Sequence, residues 1–289
     1  MTTRSIDPAL TSAYETCRRM HRRHDPTYYW ATRRLPGEIR PATHALYGYV
    51  RTADEIVDGP RRPTDPQARR AALDAWEAEL EAGLATGYSP QPVIGALVDA
   101  GRRHRLPLGE LRAYMGSMRV DCSPVRMDTW DELVTYMEGS AGSVGRIMAP
   151  LLGVPDAHHA GFGRLGLAFQ HANFIRDVRE DRRLDRIYLP GEDRRRFGVA
   201  DADFARPSAT AELRALVAHE VRRARDLFSD AEAAVEAAPA SVRPGIRLAC
   251  AIYLGVLDRV EAIGYDVLGR RPRLPAWQLP LVALAALKR

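Results

Sequence analysis

The chain has 289 residues, 46% hydrophobic and 27% charged, enough for one large core or two small ones under an ordinary soluble surface. No apolar run is long enough for a transmembrane segment, the first residues lack a signal-peptide core, and three distant cysteines (17, 122, 250) without a CxxC exclude a disulfide framework or zinc site, so a cytoplasmic location is expected. The net charge of +5 rests on arginine, Lys288 being the single lysine, and these arginines are interleaved with acids, so no nucleic-acid partner is expected.

Residues 8–23 place Leu10, Ala13, Tyr14, Cys17 and Met20 at helical spacing. His24-Asp-Pro-Thr27 interrupts that helix, because Pro26 disfavours helix in the residue before it. A short second helix starts at Tyr28-Tyr29-Trp30, whose aromatics read as core by pattern. From Pro41 to Asp58, Leu46, Val50, Ala53 and Val57 form a buried stripe. Beside it, at the same spacing, run Tyr47, Arg51, Asp54 and Asp58, and Gly59-Pro60 stops the helix. Helices follow over 65–87, 91–104 and 108–119.

Trp130 to Leu152 is helical by pattern but contains Gly139-Ser-Ala-Gly-Ser-Val-Gly145. Each interior glycine costs about 1 kcal/mol against alanine, so close packing, a kink or room for a ligand must explain them. Residues 159–184 read as one helix that places Gln170, Asn173, Asp177 and Asp181 on a single face, at spacings of three, four and four. Residues 191–206 read as a surface connection. Long helices are expected over 208–236 and 243–269, and a short apolar one over 276–287. No strand pattern is evident, and the predicted architecture is all-α.

A row of two amides and two carboxylates needs a counter-charge, and a hard divalent cation with oxygen ligands supplies it. One such pair means little, since a chain this acidic holds roughly five acidic i,i+4 pairs by chance. The second pair, 123 residues earlier, raises the specificity: one aspartate pair from each of two helices would face the other across a cavity.

These residues together resemble the squalene and phytoene synthases, the head-to-head prenyl synthases. Arg51-Thr-Ala-Asp-Glu-Ile-Val-Asp58 is similar to their first aspartate motif. Asn173-Phe-Ile-Arg-Asp-Val-Arg-Glu-Asp181 with Arg186-Ile-Tyr-Leu-Pro190 is similar to the second, and Ser140-Ala-Gly-Ser-Val-Gly145 to the small-residue helix. Ala45-Leu-Tyr-Gly-Tyr49 and Thr27-Tyr-Tyr-Trp-Ala31 match as well, and the local likeness is greatest to bacterial phytoene synthases. Three positions depart from the pattern. Glu55 replaces a usual second aspartate, Asp25 and Pro26 replace small or basic residues, and Glu138 stands in a usually aromatic or apolar slot.

The resemblance implies one isoprenoid-synthase-type helical domain over 1–289, built around a central cavity. It implies that Asp54, Asp58, Asn173, Asp177 and Asp181 hold Mg²⁺, with Mn²⁺ as a substitute. The four aspartates, with Tyr136 and Tyr188, become catalytic candidates. His24, Thr27, Arg51, Asn173, Arg186, Tyr253 and Arg270 become diphosphate-binding candidates. Tyr28, Tyr47, Ala141, Val144, Gly145 and Gln170 are expected to line the cavity. The implied reaction joins two geranylgeranyl diphosphates into phytoene without NADPH. The alternatives are squalene or presqualene diphosphate synthesis from farnesyl diphosphate, where full squalene formation needs NADPH, or a terpene-cyclase variant. A non-catalytic helical assembly factor has no reason to keep four metal aspartates. Peripheral membrane contact is compatible with so oily a product.

Overall fold

The computed structural model describes residues 8–272. Its first three helices are α1 (Pro8–His24), α2 (Pro26–Thr32) and α3 (Arg40–Asp58), followed by α4 (Pro66–Thr86) and α5 (Pro92–His104). Prolines open most of these, where an amide hydrogen would be unsatisfied anyway. For three of them the preceding residue supplies the cap: Asp25 accepts from Tyr28 N, Asp65 from Gln67 N and Ala68 N, and Gln91 from Ile94 N. Helix α3 packs between α1 and α5 on the stripe read from the sequence, with Leu46, Ala53 and Val57 buried.

The chain continues through α6 (Leu111–Val120), a two-residue strand β1 (Val125–Arg126), α7 (Trp130–Met137), a π-helical turn at Glu138–Gly142, and α8 (Ser143–Leu151). The expected unbroken helix over 130–152 is thus interrupted by a wider turn where its small residues cluster. The glycines there also answer to close contact. A Cβ on Gly145 would drive into the backbone carbonyl of Phe162, so α8 lies backbone to backbone against α9 (His159–Arg176).

Helix α9 is the central element. Phe162, Leu165, Leu167, Ala168, Ala172, Phe174 and Ile175 are buried around its circumference, as expected of a helix enclosed on all sides. The helix expected over 159–184 breaks at Asp177, whose φ of −104° and ψ of 14° end α9 before α10 (Val178–Arg183). The four-residue hydrogen-bond spacing survives the break: Asp177 N donates to Asn173 O and Asp181 N to Asp177 O, both at 2.8 Å. The common face of Asn173, Asp177 and Asp181 is therefore kept.

Two further expectations are corrected. A strand does occur: β2 (Arg186–Ile187) pairs in parallel with β1, placing Val125 opposite Arg186. Such a short pair has no readable alternation in the sequence. The segment 191–206 is not a mere surface connection, because α11 (Gly191–Phe197) carries the buried Asp193 against α12 (Ala211–Asp230). Helices α13 (Glu232–Ala237) and α14 (Arg243–Ala262) complete the described chain, and α14 stops earlier than expected in a turn through Gly264 and Tyr265, both at positive φ. The helix expected at 276–287 lies outside the described residues.

One apolar cluster runs from Ala13 and Cys17 to Val267 and Leu268. A smaller one, with Leu133, Tyr136, Met137, Phe174 and Tyr188, lies by the strand pair. No helix among the described residues is long and apolar enough to cross a membrane.

Candidate active site

The last turns of α3 and the α9–α10 break supply the two aspartate pairs. On α3, Asp54 accepts the Tyr114 hydroxyl at 2.8 Å. Burial pushes its carboxyl up to about 6, against the opposing pull of Tyr114 and Arg51. Asp58, closer to solvent, takes both terminal nitrogens of Arg186, at 2.6 and 3.0 Å. Arg186 lies 128 positions further along the chain and is 95% buried by its 5% exposure. That one guanidinium ties the end of the first motif to the segment that follows the second.

On the opposite wall, Gln170, Asn173, Asp177 and Asp181 descend in order. The Asn173 amide donates weakly to Gln170 Oε1 at 3.4 Å, while Asn173 Oδ1 is buried with no partner. Burial alone would raise the Asp177 carboxyl, but it is held below the usual range by Arg176, at 2.5 Å, and Arg271, at 2.6 Å. Asp181 is pushed well above that range by burial and then by the Asp177 charge. Asp58 and Asp121 raise Asp181 further, and Asp58 and Asp121 also raise Asp54, so both pairs lie within one electrostatic neighbourhood.

Asp121 was not anticipated from the sequence. It follows α6, is buried, and accepts the hydroxyls of Tyr136 at 2.5 Å and Tyr188 at 2.6 Å. Its backbone carbonyl accepts from Arg186 at 2.6 Å. Burial lifts its carboxyl to about 6 despite Arg186 and the two tyrosines. No helical period marks it; the β1–β2 pairing brings Tyr188 and Arg186 to it. Tyr114, on α6, also escaped notice, because its contact with Asp54 joins two helices 60 positions apart.

A cavity of about 320 Å³ touches the acid-bearing helices at Val50 of α3 and Asn173 of α9, and the four aspartates are not among its described lining residues. Tyr28, Tyr47, Ala141, Val144, Gly145 and Gln170 line it, as do Asn173 and Tyr253. The remaining wall is largely apolar, including Leu35, Leu46, Met148, Phe162, Leu165 and Ile246. Among the described residues lining it, Tyr136 and Tyr188 do not occur; their rings pack with Phe174, with the Phe174–Tyr188 centroids 4.0 Å apart, and their hydroxyls go to Asp121. Both hold the acid cluster together instead of facing the cavity.

The other candidates are placed as follows. Arg51 lies on α3 between Tyr47 and Asp54 and is engaged by Glu55. His24 Nδ1 stands 3.6 Å from Glu55, and burial with the nearby Arg51 charge lowers its pKa. Thr27 belongs to α2, and its side chain lies outside the described residues. Arg270 is exposed, whereas its neighbour Arg271 reaches Asp177. The unusual residues have local partners: Asp25 caps α2, and Glu138 pairs with Arg146 at 2.6 Å.

The donor set suits a hard cation. It is all oxygen, Asn173 Oδ1 is an unpaired buried acceptor, and Asp54 and Asp181 lack enough positive charge to stay in the usual carboxylate range. A second acid–histidine group, Asp193, His219 and Glu220, brings its ligand atoms within 4.8 Å of one another, but its carboxylates already have protein partners. Arg223 reaches Asp193 at 2.7 Å and Glu220 at 3.0 Å, and His171 contacts Glu220 at 3.1 Å.

The profile of a family described as squalene/phytoene synthase matches residues 21–278. The 15-cis-phytoene synthase of Synechococcus elongatus is 33% identical over 96% of this chain and 94% of its own. The phytoene synthase of Thermus thermophilus is 36% identical over 93% of this chain and 91% of its own. Among solved structures, a squalene synthase of Alicyclobacillus acidocaldarius superposes with a TM-score of 0.81 at 28% identity, covering 91% of this chain and 98% of that one. A dehydrosqualene synthase in complex with ligand shares the fold, with a TM-score of 0.89 at 24% identity over 96% of both chains.

Proposed function

The chain belongs to the squalene/phytoene synthase family, and on that premise we propose that it condenses two geranylgeranyl diphosphates head to head into phytoene, by way of a cyclopropyl diphosphate. It is a prenyltransferase, and residues 1–289 are read as one catalytic domain. The observation that supports this reading is the Arg186–Asp58 pair, which ties the end of the first acidic motif to the segment after the second, while Val50 of α3 and Asn173 of α9 line a largely apolar cavity.

In this reading Asp54, Asp58, Asn173, Asp177 and Asp181 hold Mg²⁺, which when bound acts as a Lewis acid and neutralises the leaving diphosphate. Arg51 adds charge-assisted hydrogen bonds to the phosphates, and Arg271 is better placed for this than Arg270. Asn173 and Tyr253 orient the diphosphate at the polar end of the cavity. Tyr28 and Tyr47 line the cavity where an allylic cation would develop, and stabilise it, and the apolar wall excludes the water that would trap that cation as an alcohol. Tyr136 and Tyr188 act through Asp121 and Arg186, keeping the two acidic walls in register.

The test is product identity. Purified protein is incubated with the C20 or the C15 diphosphate and Mg²⁺, with and without NADPH. A C40 conjugated triene from the C20 substrate without NADPH is expected. A C30 product from the C15 substrate in preference to any C40 product overturns the assignment in favour of squalene or presqualene diphosphate synthesis.

A further inference from the structure

Arg51 occupies a particular place on α3. It follows Tyr47, which lines the cavity, by one turn and precedes Asp54 by one turn. At about 100° per residue, Asp54 and Asp58 fall on one side of Arg51, and Glu55 falls about 40° away on the other. Glu55 Oε1 accepts a short hydrogen bond from Arg51 Nη2. Arg51 Nε, by contrast, is buried and has no partner.

A guanidinium with one nitrogen held by an internal carboxylate and another donor unused is a half-filled anion site. The carboxylate that fills it is weakly bound, because both side chains are about one-third exposed, 31% and 33%, and an i,i+4 pair of that kind contributes little. A diphosphate offers the fork a more highly charged, bidentate partner. His24, 3.6 Å from the same Glu55 oxygen, gives the displaced carboxylate somewhere to turn.

We infer that Glu55 is a built-in competitor for diphosphate at Arg51: it occupies the guanidinium in the empty site, yields to the substrate's diphosphate, and returns as the product diphosphate leaves. Glu55 is thus a positioning residue that weakens diphosphate affinity and favours turnover. The inference rests on the reading of Arg51 as a diphosphate ligand.

The experiment compares the full-length wild type with Glu55→Gln, which keeps side-chain size and removes the charge. Measured are KM and kcat for geranylgeranyl diphosphate, the inhibition constant of inorganic pyrophosphate, and the Mg²⁺ concentration for half-maximal rate. KM and the pyrophosphate constant are expected to fall by about two- to fivefold, the equivalent of a weak ion pair, with kcat not increased and the Mg²⁺ requirement unchanged. Unchanged KM and inhibition constants, with only a lower melting temperature, reduce Glu55 to a helix-stabilising residue and overturn the inference. A raised Mg²⁺ requirement overturns it by making Glu55 a metal ligand. Arg51→Met serves as the control on the premise. If it leaves pyrophosphate inhibition unaltered, the reading of Arg51 itself falls and the inference with it. If it weakens inhibition while Glu55→Gln changes nothing, only the inference falls.

Discussion

Replacing Arg186 by methionine tests how the two acidic walls are held together. The substitution keeps most of the side-chain volume and removes every donor. It strands the Asp121 carbonyl, a buried acceptor at 2.6 Å, at a cost of about 1–3 kcal/mol. It also breaks the pair with Asp58, whose side chain is 41% exposed, so that contribution belongs near the surface value of at most about 1 kcal/mol. Asp121 and Asp181 lose the cation that lowers both, which adds to the repulsion among the acids. The sum is about 1–4 kcal/mol, and at about 2–4 °C per kcal/mol for a chain of this size the melting temperature falls by about 2–16 °C. Urea unfolding followed by circular dichroism in EDTA reads the loss as a lower midpoint at constant slope. Turnover of the C20 diphosphate should drop by at least about 100-fold, since the phosphate-facing charges lose their alignment. A loss below about 1 kcal/mol with turnover within a factor of two refutes the role assigned to this residue.

Asp54→Asn and Asp177→Asn should each reduce the first ionisation by roughly 10³-fold or more while helix content by circular dichroism stays unchanged; wild-type rates in either exclude that pair from the chemistry. The Asp54 carboxyl, raised to about 6 from an ordinary 3.8, makes metal-dependent activity fall as pH drops through 6, by up to about tenfold per unit, and added Mg²⁺ should move the midpoint to lower pH. The sign for stability is opposite: between about 4 and 6 the folded chain binds this proton more readily than the unfolded one, so this group's contribution to stability grows as pH falls through that window. A flat kcat/KM down to pH 5 at limiting Mg²⁺ contradicts the first; for the second, urea unfolding at each pH should show a greater loss of stability between about pH 6 and 4 in Asp54→Asn than in the wild type. Gly145→Ala should cost about 1–3 kcal/mol, because the added methyl meets the Phe162 carbonyl, whereas Gly116→Ala, on an open face of α6, should stabilise by up to about 1 kcal/mol; equal effects in thermal melts contradict the close approach of α8 and α9.

Legibility in the sequence follows the range of the interactions. Helix α3 was readable because Leu46, Ala53 and Val57 and the parallel run of Tyr47, Arg51, Asp54 and Asp58 follow one local period. The second aspartate pair was readable for the same reason, even though α9 breaks at Asp177, since the four-residue hydrogen bonds continue across the break. Asp121 was invisible because nothing periodic connects it to Tyr136, Tyr188 or Arg186; a two-residue parallel pairing makes that connection, and no pattern so short can be read. The π-turn at Glu138–Gly142 was visible only as an excess of small residues, whose geometry depends on α9 lying against them. Arg271, not Arg270, meets Asp177, and both residues lie beyond the end of α14, where no local period shows which side chain turns toward the acids.

Crystals grown with Mn²⁺ and inorganic pyrophosphate test the central claim directly, through the anomalous signal of the metal. Metal peaks within ligand distance of Asp54 or Asp58 and of Asn173, Asp177 or Asp181, with one pyrophosphate bridging the two walls, are predicted. Peaks confined to one wall, or found instead at Asp193, His219 and Glu220, contradict the account.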